Sequence, residues 1–183
     1  IEHSVFALPF ALAAFVLAER HQQPIVRSEL HFSPATVIAV ILAVIFARVA
    51  AMAFNRLVDA DIDARNPRTA LREIPKGLLT RQSVAILVFV SCVMFLICAG
   101  FLGPHCLVAA PFVLVVLLGY SFTKRFTVLS HFALGLALAL APGGAWWVLS
   151  PKVSAIPIVL MITVVLWVAG FDILYSTQDV SFD

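Results

Sequence analysis

Between residues 55 and 63 the chain reads Asn55-Arg-Leu-Val-Asp59-Ala-Asp61-Ile-Asp63. Asn55, Asp59 and Asp63 recur every four residues, so on a helix they share one face. This run ends an apolar stretch long enough to cross a membrane, where acceptor-bearing side chains are too costly to be filler. Carboxylate and amide oxygens are hard ligands of the kind Mg2+ takes, together with substrate phosphates. A second row, Asp172, Asp179 and Asp183, lies near the end of the chain. Its spacings of seven and eleven return to about the same helical face, as does Tyr175 three residues after Asp172. Two facing carboxylate rows can hold Mg2+ ions that bridge a diphosphate. In so apolar a chain, that chemistry belongs to a lipid diphosphate. Asp61 points off the shared face and reads as supporting or solvated.

Cations lie between the rows. Arg68, Arg72 and Lys76 follow four-residue spacing after Asn66-Pro67, although Pro75 excludes one continuous helix. Lys124 and Arg125 come shortly after Tyr120. Ordinary cytoplasmic positive bias accounts for part of this set. Arg72 and Lys124 are the better placed to meet a diphosphate and assist its departure. Arg48 lies inside an apolar run, seven residues before Asn55 and on its face, so it should face the interior and have a partner there. It is roughly 10 Å deeper at 1.5 Å rise per residue, where it could bind an acceptor's carboxylate. His131 reads as a satisfied interior histidine rather than a catalytic base.

The elements that must position these residues are membrane spans. The chain has 183 residues, 62% hydrophobic and 12% charged, with mean hydropathy +1.06. That excludes a soluble domain and predicts an all-α, multi-span transmembrane bundle. Long uncharged runs without alternation exclude a membrane barrel. Six spans are expected, at 3–18, 34–54, 83–101, 106–120, 128–149 and 155–170, the fifth broken at Pro142-Gly143-Gly144. Trp146-Trp147 fits an interfacial aromatic belt. Residues 1–183 read as one domain.

The connections alternate in character. Residues 101–105 and 150–154 are short, whereas 55–82 is long and polar and 121–127 carries Lys124-Arg125. With six spans the polar connections and the final segment share one side. Those segments hold eight of the twelve Lys and Arg and seven of the ten acids. The positive-inside rule makes that side cytoplasmic, and a bacterial-type inner membrane is the expected location. The net charge of +2 says little about partners, and no nucleic acid is expected. Cys92, Cys98 and Cys106 lack any C-x-x-C spacing and read as small apolar residues. No basic segment with a cleavage site precedes the first span, so no signal peptide is read. The chain stops at Asp183, inside the second motif, so a longer natural protein is expected.

Four segments in order carry a resemblance: Asn55-x-x-x-Asp59-x-x-x-Asp63, the run Asn66 to Gly77, Tyr120-Ser-Phe-Thr-Lys124-Arg125, and Asp172-x-x-Tyr175-x-x-x-Asp179-x-x-x-Asp183. They resemble the UbiA superfamily of intramembrane prenyltransferases, and more closely its 4-hydroxybenzoate polyprenyltransferase-like branch. The resemblance implies nine helices around a laterally open cavity, of which this chain holds about six. It also implies Mg2+, a polyprenyl diphosphate donor and an aromatic acceptor.

On that reading Asp59, Asp63, Asp172 and Asp179 hold Mg2+, and Lys124 joins them in catalysis. Asn55, Arg68, Arg72, Tyr175, Arg48 and Asp183 bind substrates. An electron-rich ring attacks the cation-like allylic carbon, water is excluded, and the lipid tail leaves sideways. Ubiquinone or menaquinone synthesis is the expected setting. Another acceptor of the superfamily is the enzymatic rival: futalosine- or naphthoate-type, haem, chlorophyll or glycerol lipid. A transporter is the rival of another class, since intramembrane carboxylates and a broken helix also mark ion paths. The acids, however, gather at one face, with Arg and Lys, rather than at the midplane.

Overall fold

The computed structural model describes residues 4–21, 33–67, 69–123, 125–127 and 129–176. Among these residues the chain consists of helices and their connections. The helices are α1 (Ser4–His21), α2 (Pro34–Val58), α3 (Ala60–Asp63), α4 (Arg81–Phe101), α5 (Pro104–Thr123), α6 (Ser130–Leu149) and α7 (Ala155–Ser176). Helix is the form an apolar run takes in hydrocarbon, because it satisfies every backbone donor and acceptor within the segment. Five helices, α2 and α4 to α7, are long and apolar enough to cross a membrane. With the 18-residue α1 they fall where the six spans are expected.

The helix starts follow from local chemistry. Pro34 opens α2, and Ser33 Oγ accepts from Thr36 N at 3.1 Å. Thr80 Oγ1 accepts from Ser83 N at 3.1 Å at the start of α4. Two residues turn the chain between α4 and α5. One of them is Gly103 at φ 128°, a conformation that favours glycine.

Packing inverts the order of a soluble core. The interior is rich in small residues, with Ala11, Ala14, Ala18, Ala50 and Ala139 fully covered. Large apolar side chains such as Phe89, Phe112, Val108 and Leu166 point outward. Without a hydrophobic drive between helices in lipid, small residues permit the close backbone approach that dispersion requires. α6 is the hub, packed against α1, α5 and α7, and α2 packs chiefly on α4.

Two expectations fail here, and α6 explains both. The helix does not break at Pro142-Gly143-Gly144 but runs unbroken from Ser130 to Leu149. Pro142 is buried, and contacts on three sides hold the helix across the one backbone bond that proline removes. Trp146 is not part of an interfacial belt. It is 2% exposed and shares a buried cluster with Ala11, Ala14, Phe15 and Ala18. The alanine row of α1 leaves the space that the indole fills. Trp147 instead lines an internal cavity.

Gly135 sets the α6–α7 distance. A Cβ there would lie 2.6 Å from the Val165 carbonyl oxygen, a backbone atom that cannot swing aside. Gly135→Ala should therefore destabilise the protein by about 1–3 kcal/mol. Gly119→Ala in α5, with nothing within 4 Å, should be neutral or mildly stabilising. Thermal unfolding of both variants in detergent checks this, and an unchanged midpoint for Gly135→Ala would refute the close approach.

Candidate active site

The first acidic row sits where α2 gives way to α3. Asp59 N donates to Asn55 O at 3.0 Å and Asp63 N to Asp59 O at 2.8 Å, so the four-residue ladder continues across the junction. Asp59 is 1% exposed and Asp63 6%. Asp61 lies off that buried side, with its carboxyl in solvent.

Buried carboxylates need cations, and two separate segments deliver them. Arg72 Nη1 lies 2.7 Å from both Asp63 oxygens. The turns after α3 carry Arg72 there, and Thr69 Oγ1 pins them by donating to Asp63 O at 3.1 Å. From beyond α5, Arg125 Nη2 donates to Val58 O at 3.0 Å and lies 3.6 Å from Asp59 Oδ1. Its guanidinium also stacks 5.7 Å from the Phe122 ring centre. Arg125 thus compensates the carbonyl end of α2 and ties α5 to it. Further out, Arg81 donates to Asp61 and holds its carboxyl below the usual carboxylate range. Arg56 pairs with Glu73 at 3.3 Å. The polar connections therefore meet at one end of the bundle.

Two cavities lead inward from that end. The outer, of about 280 Å³, is lined by Asn55, Arg72, Asp172, Arg48 and Tyr120, with Trp167 and Phe171 from α7. The inner, of about 430 Å³, is almost wholly apolar, walled by alanines of α2, α5 and α6 with Phe95, Trp147 and Met161. Arg48, Tyr120 and Leu138 belong to both walls. On α2, Arg48, Met52, Asn55 and Arg56 form one helical stripe along the outer cavity. Arg48 therefore faces the interior, on the face of Asn55 and deeper than it.

Of the second row, Asp172 enters the outer cavity wall, and its Oδ2 lies 2.7 Å from His131 Nδ1. Tyr175 does not line that cavity. It is 39% exposed and packs on Phe171 at 5.2 Å between ring centres, because three residues along α7 carry it past the wall. Arg68, Lys124, Asp179 and Asp183 lie outside the described residues. Sequence reasoning passed over Tyr120, which counted only as the start of a basic motif. His131 is the satisfied histidine expected, with Asp172 as its partner. The available signal was that an ionisable group among spans must have a partner, which does not say which partner.

Asp59 and Asp63 lie beside the cavity rather than in its lining, and no three His, Cys, Asp or Glu residues among those described form a metal cluster. The donor set still suits Mg2+, which is usually held by one or two carboxylates together with substrate phosphates. Asn55 and Asp172 supply oxygen donors in the cavity wall, Arg72 supplies positive charge for phosphate, and the carboxylates of Asp59 and Asp63 are adjacent.

An all-helical membrane bundle with a charged outer cavity above an apolar inner one defines the class, and comparison with known proteins agrees. Residues 7–183 match the UbiA prenyltransferase family, and the chain belongs to it. A 4-hydroxybenzoate octaprenyltransferase of Aliivibrio salmonicida is 30% identical over 144 residues, 78% of this chain and 50% of that protein. A protoheme IX farnesyltransferase of Bradyrhizobium diazoefficiens is 30% identical over 141 residues, 75% of this chain and 45% of that protein. The chain spans about half the length of the curated relatives it matches. The apo structure of a UbiA homolog from Aeropyrum pernix superposes with a TM-score of 0.86 at 34% identity, over 100% of this chain and 66% of that one. Membership of this family sets the transporter reading aside.

The Asp63–Arg72 pair generates a stability prediction. Arg72→Ala strands a buried carboxylate and should cost about 1–3 kcal/mol, less than a fully buried pair because Arg72 is partly exposed. The Asp63→Asn/Arg72→Ala double variant should lose less than the two single losses combined. Unfolding midpoints in detergent measure this, and strictly additive losses would show the pair to be uncoupled.

Proposed function

We propose that this protein transfers a polyprenyl group from a polyprenyl diphosphate to an aromatic acceptor of the 4-hydroxybenzoate type. The setting is ubiquinone or menaquinone synthesis, with the charged end of the bundle at the cytoplasmic face of a bacterial-type inner membrane. The observation that carries this reading is the pair of cavities sharing Arg48 and Tyr120. One suits a diphosphate and the other excludes water.

Asp59, Asp63 and Asp172, with Asp179, would hold Mg2+, and Asn55 would support it. When bound there, Mg2+ would supply positive charge against the diphosphate as it becomes a leaving group. Arg72 in the cavity wall contacts the diphosphate, joined by Lys124 and Arg68, while Asp183 is assigned to substrate binding from the second acidic row; these three lie outside the described residues. The rings of Tyr120, Trp167 and Phe171 line the outer cavity, and aromatic faces favour a cation-like allylic carbon. The inner apolar walls keep water from quenching it. Arg48 binds the acceptor's carboxylate at the border between the two cavities. Tyr175, assigned to substrate binding from the sequence, does not line this cavity.

The relatives also favour a second reading. A haem farnesyltransferase stands at the same identity as the benzoate enzyme, so another acceptor of the family fits as well. Purified protein given a radiolabelled prenyl diphosphate and an acceptor panel decides between them. Transfer should require Mg2+ and stop in excess EDTA. Full transfer in EDTA would overturn the metal assignment, and prenylation of haem but not of the benzoate would select the second reading.

Arg48→Leu tests the acceptor assignment. Loss of one charged hydrogen bond should cost about 1.5–3 kcal/mol, read as a rise in the acceptor's KM with the donor's KM little changed. Normal yield with an unchanged acceptor KM would remove Arg48 from the binding site.

A further inference from the structure

His131 stands at the start of α6, and its Nδ1 lies 2.7 Å from Asp172 Oδ2 on α7, 41 residues away in the chain. The approach is built into the fold. Gly135, one turn further along α6, lets the helix sit against the backbone of α7 at Val165. Val165 lies two turns before Asp172, so the same close contact brings the imidazole to the carboxylate. Asp172 lines the outer cavity and His131 does not. The imidazole therefore stands behind the carboxylate relative to the cavity.

An ionised carboxylate only accepts hydrogen bonds, so Nδ1 of His131 carries the proton and donates it. That bond engages Oδ2 and leaves Oδ1 to other partners. A metal-binding carboxylate held in this way loses fewer rotamers on binding and keeps its oxygen aimed. We propose that His131 is a positioning residue. It fixes the rotation of Asp172 and thereby sets the affinity of the outer cavity for a divalent cation with diphosphate. The inference rests on the proposed function, because it takes Asp172 to be a metal ligand. It adds a residue that touches neither metal nor substrate and acts through Asp172.

The chemistry of the bond supplies the test. An asparagine amide N–H lies close to where histidine Nδ1 lies, whereas a glutamine amide reaches further, towards the place of Nε2. Mn2+ binding in the presence of inorganic diphosphate, followed by electron paramagnetic resonance on the purified membrane protein, reads the site without turnover. His131→Ala should weaken Mn2+ binding about 10- to 100-fold, approaching Asp172→Asn, while His131→Asn stays within about threefold of wild type. In assays of transfer, His131→Ala should raise the KM of the prenyl diphosphate and leave the acceptor's KM unchanged. If His131→Ala cannot be purified, His131→Gln against His131→Asn carries the comparison, with only asparagine retaining tight binding.

Wild-type binding with equal affinity in His131→Ala would overturn the positioning role and leave the proposed function standing. Normal Mn2+ affinity but no turnover in His131→Ala would overturn it in favour of a direct proton-accepting role. No Mn2+ binding by the wild type would sink the metal-dependent function and this inference with it.

Discussion

Two carboxylates, Asp59 and Asp63, are buried at the end of a membrane helix, and the organisation of that end follows from the need to compensate them. An isolated buried charge costs several kcal/mol, so the segments around it must bring cations. Arg72 comes from the turns after α3 and Arg125 from beyond α5. Each cation also holds backbone in place. Arg125 caps α2, and the Arg72 segment is anchored by Thr69 on the Asp63 carbonyl. The long polar connection between α3 and α4 is thus folded over the helix ends, and its Arg72 forms part of the cavity wall.

α2 carries this arrangement inward. A single stripe of its surface presents Asn55, Met52 and Arg48 to the outer cavity, and alanines of the same helix wall the inner one. Polarity falls steeply along one helix, from carboxylate and amide through one guanidinium to methyl groups. Such a gradient suits a substrate with a charged head and an apolar tail. The interior can be hollow because it is built of alanine and glycine, while bulky side chains face outward to lipid. Arg48 and Tyr120 stand where the two environments meet, the place where a polar acceptor can be held without admitting water to the apolar side.

The pairing of α6 with α7 positions Asp172, the residue of the second acidic row that lies among those described. Glycine at 135 permits the close approach, and the approach puts His131 against Asp172. The same contacts keep α6 straight through Pro142, where local propensity alone predicts a break. Trp146 shows the same override. By composition it is an interfacial tryptophan, but the alanine row on α1 makes a slot for it in the core.

The sequence by itself determined the all-helical membrane class, because an uncharged run of span length has no other form in hydrocarbon. Periodicity along one helix was enough to put Asn55, Asp59 and Asp63 on one side, Asp61 off it, and Arg48 deeper on the face of Asn55. Such relations are fixed by helix geometry within a few turns. The tertiary structure decided which distant groups meet. Arg72 on Asp63, Arg125 on Val58 and Asp59, and His131 on Asp172 are contacts between elements, and one chain's pattern does not specify them. It also decided that Tyr120 enters the cavity walls and that Tyr175, only three residues beyond Asp172, does not. A helical face is a local property, whereas the direction in which that face points depends on how neighbouring helices pack.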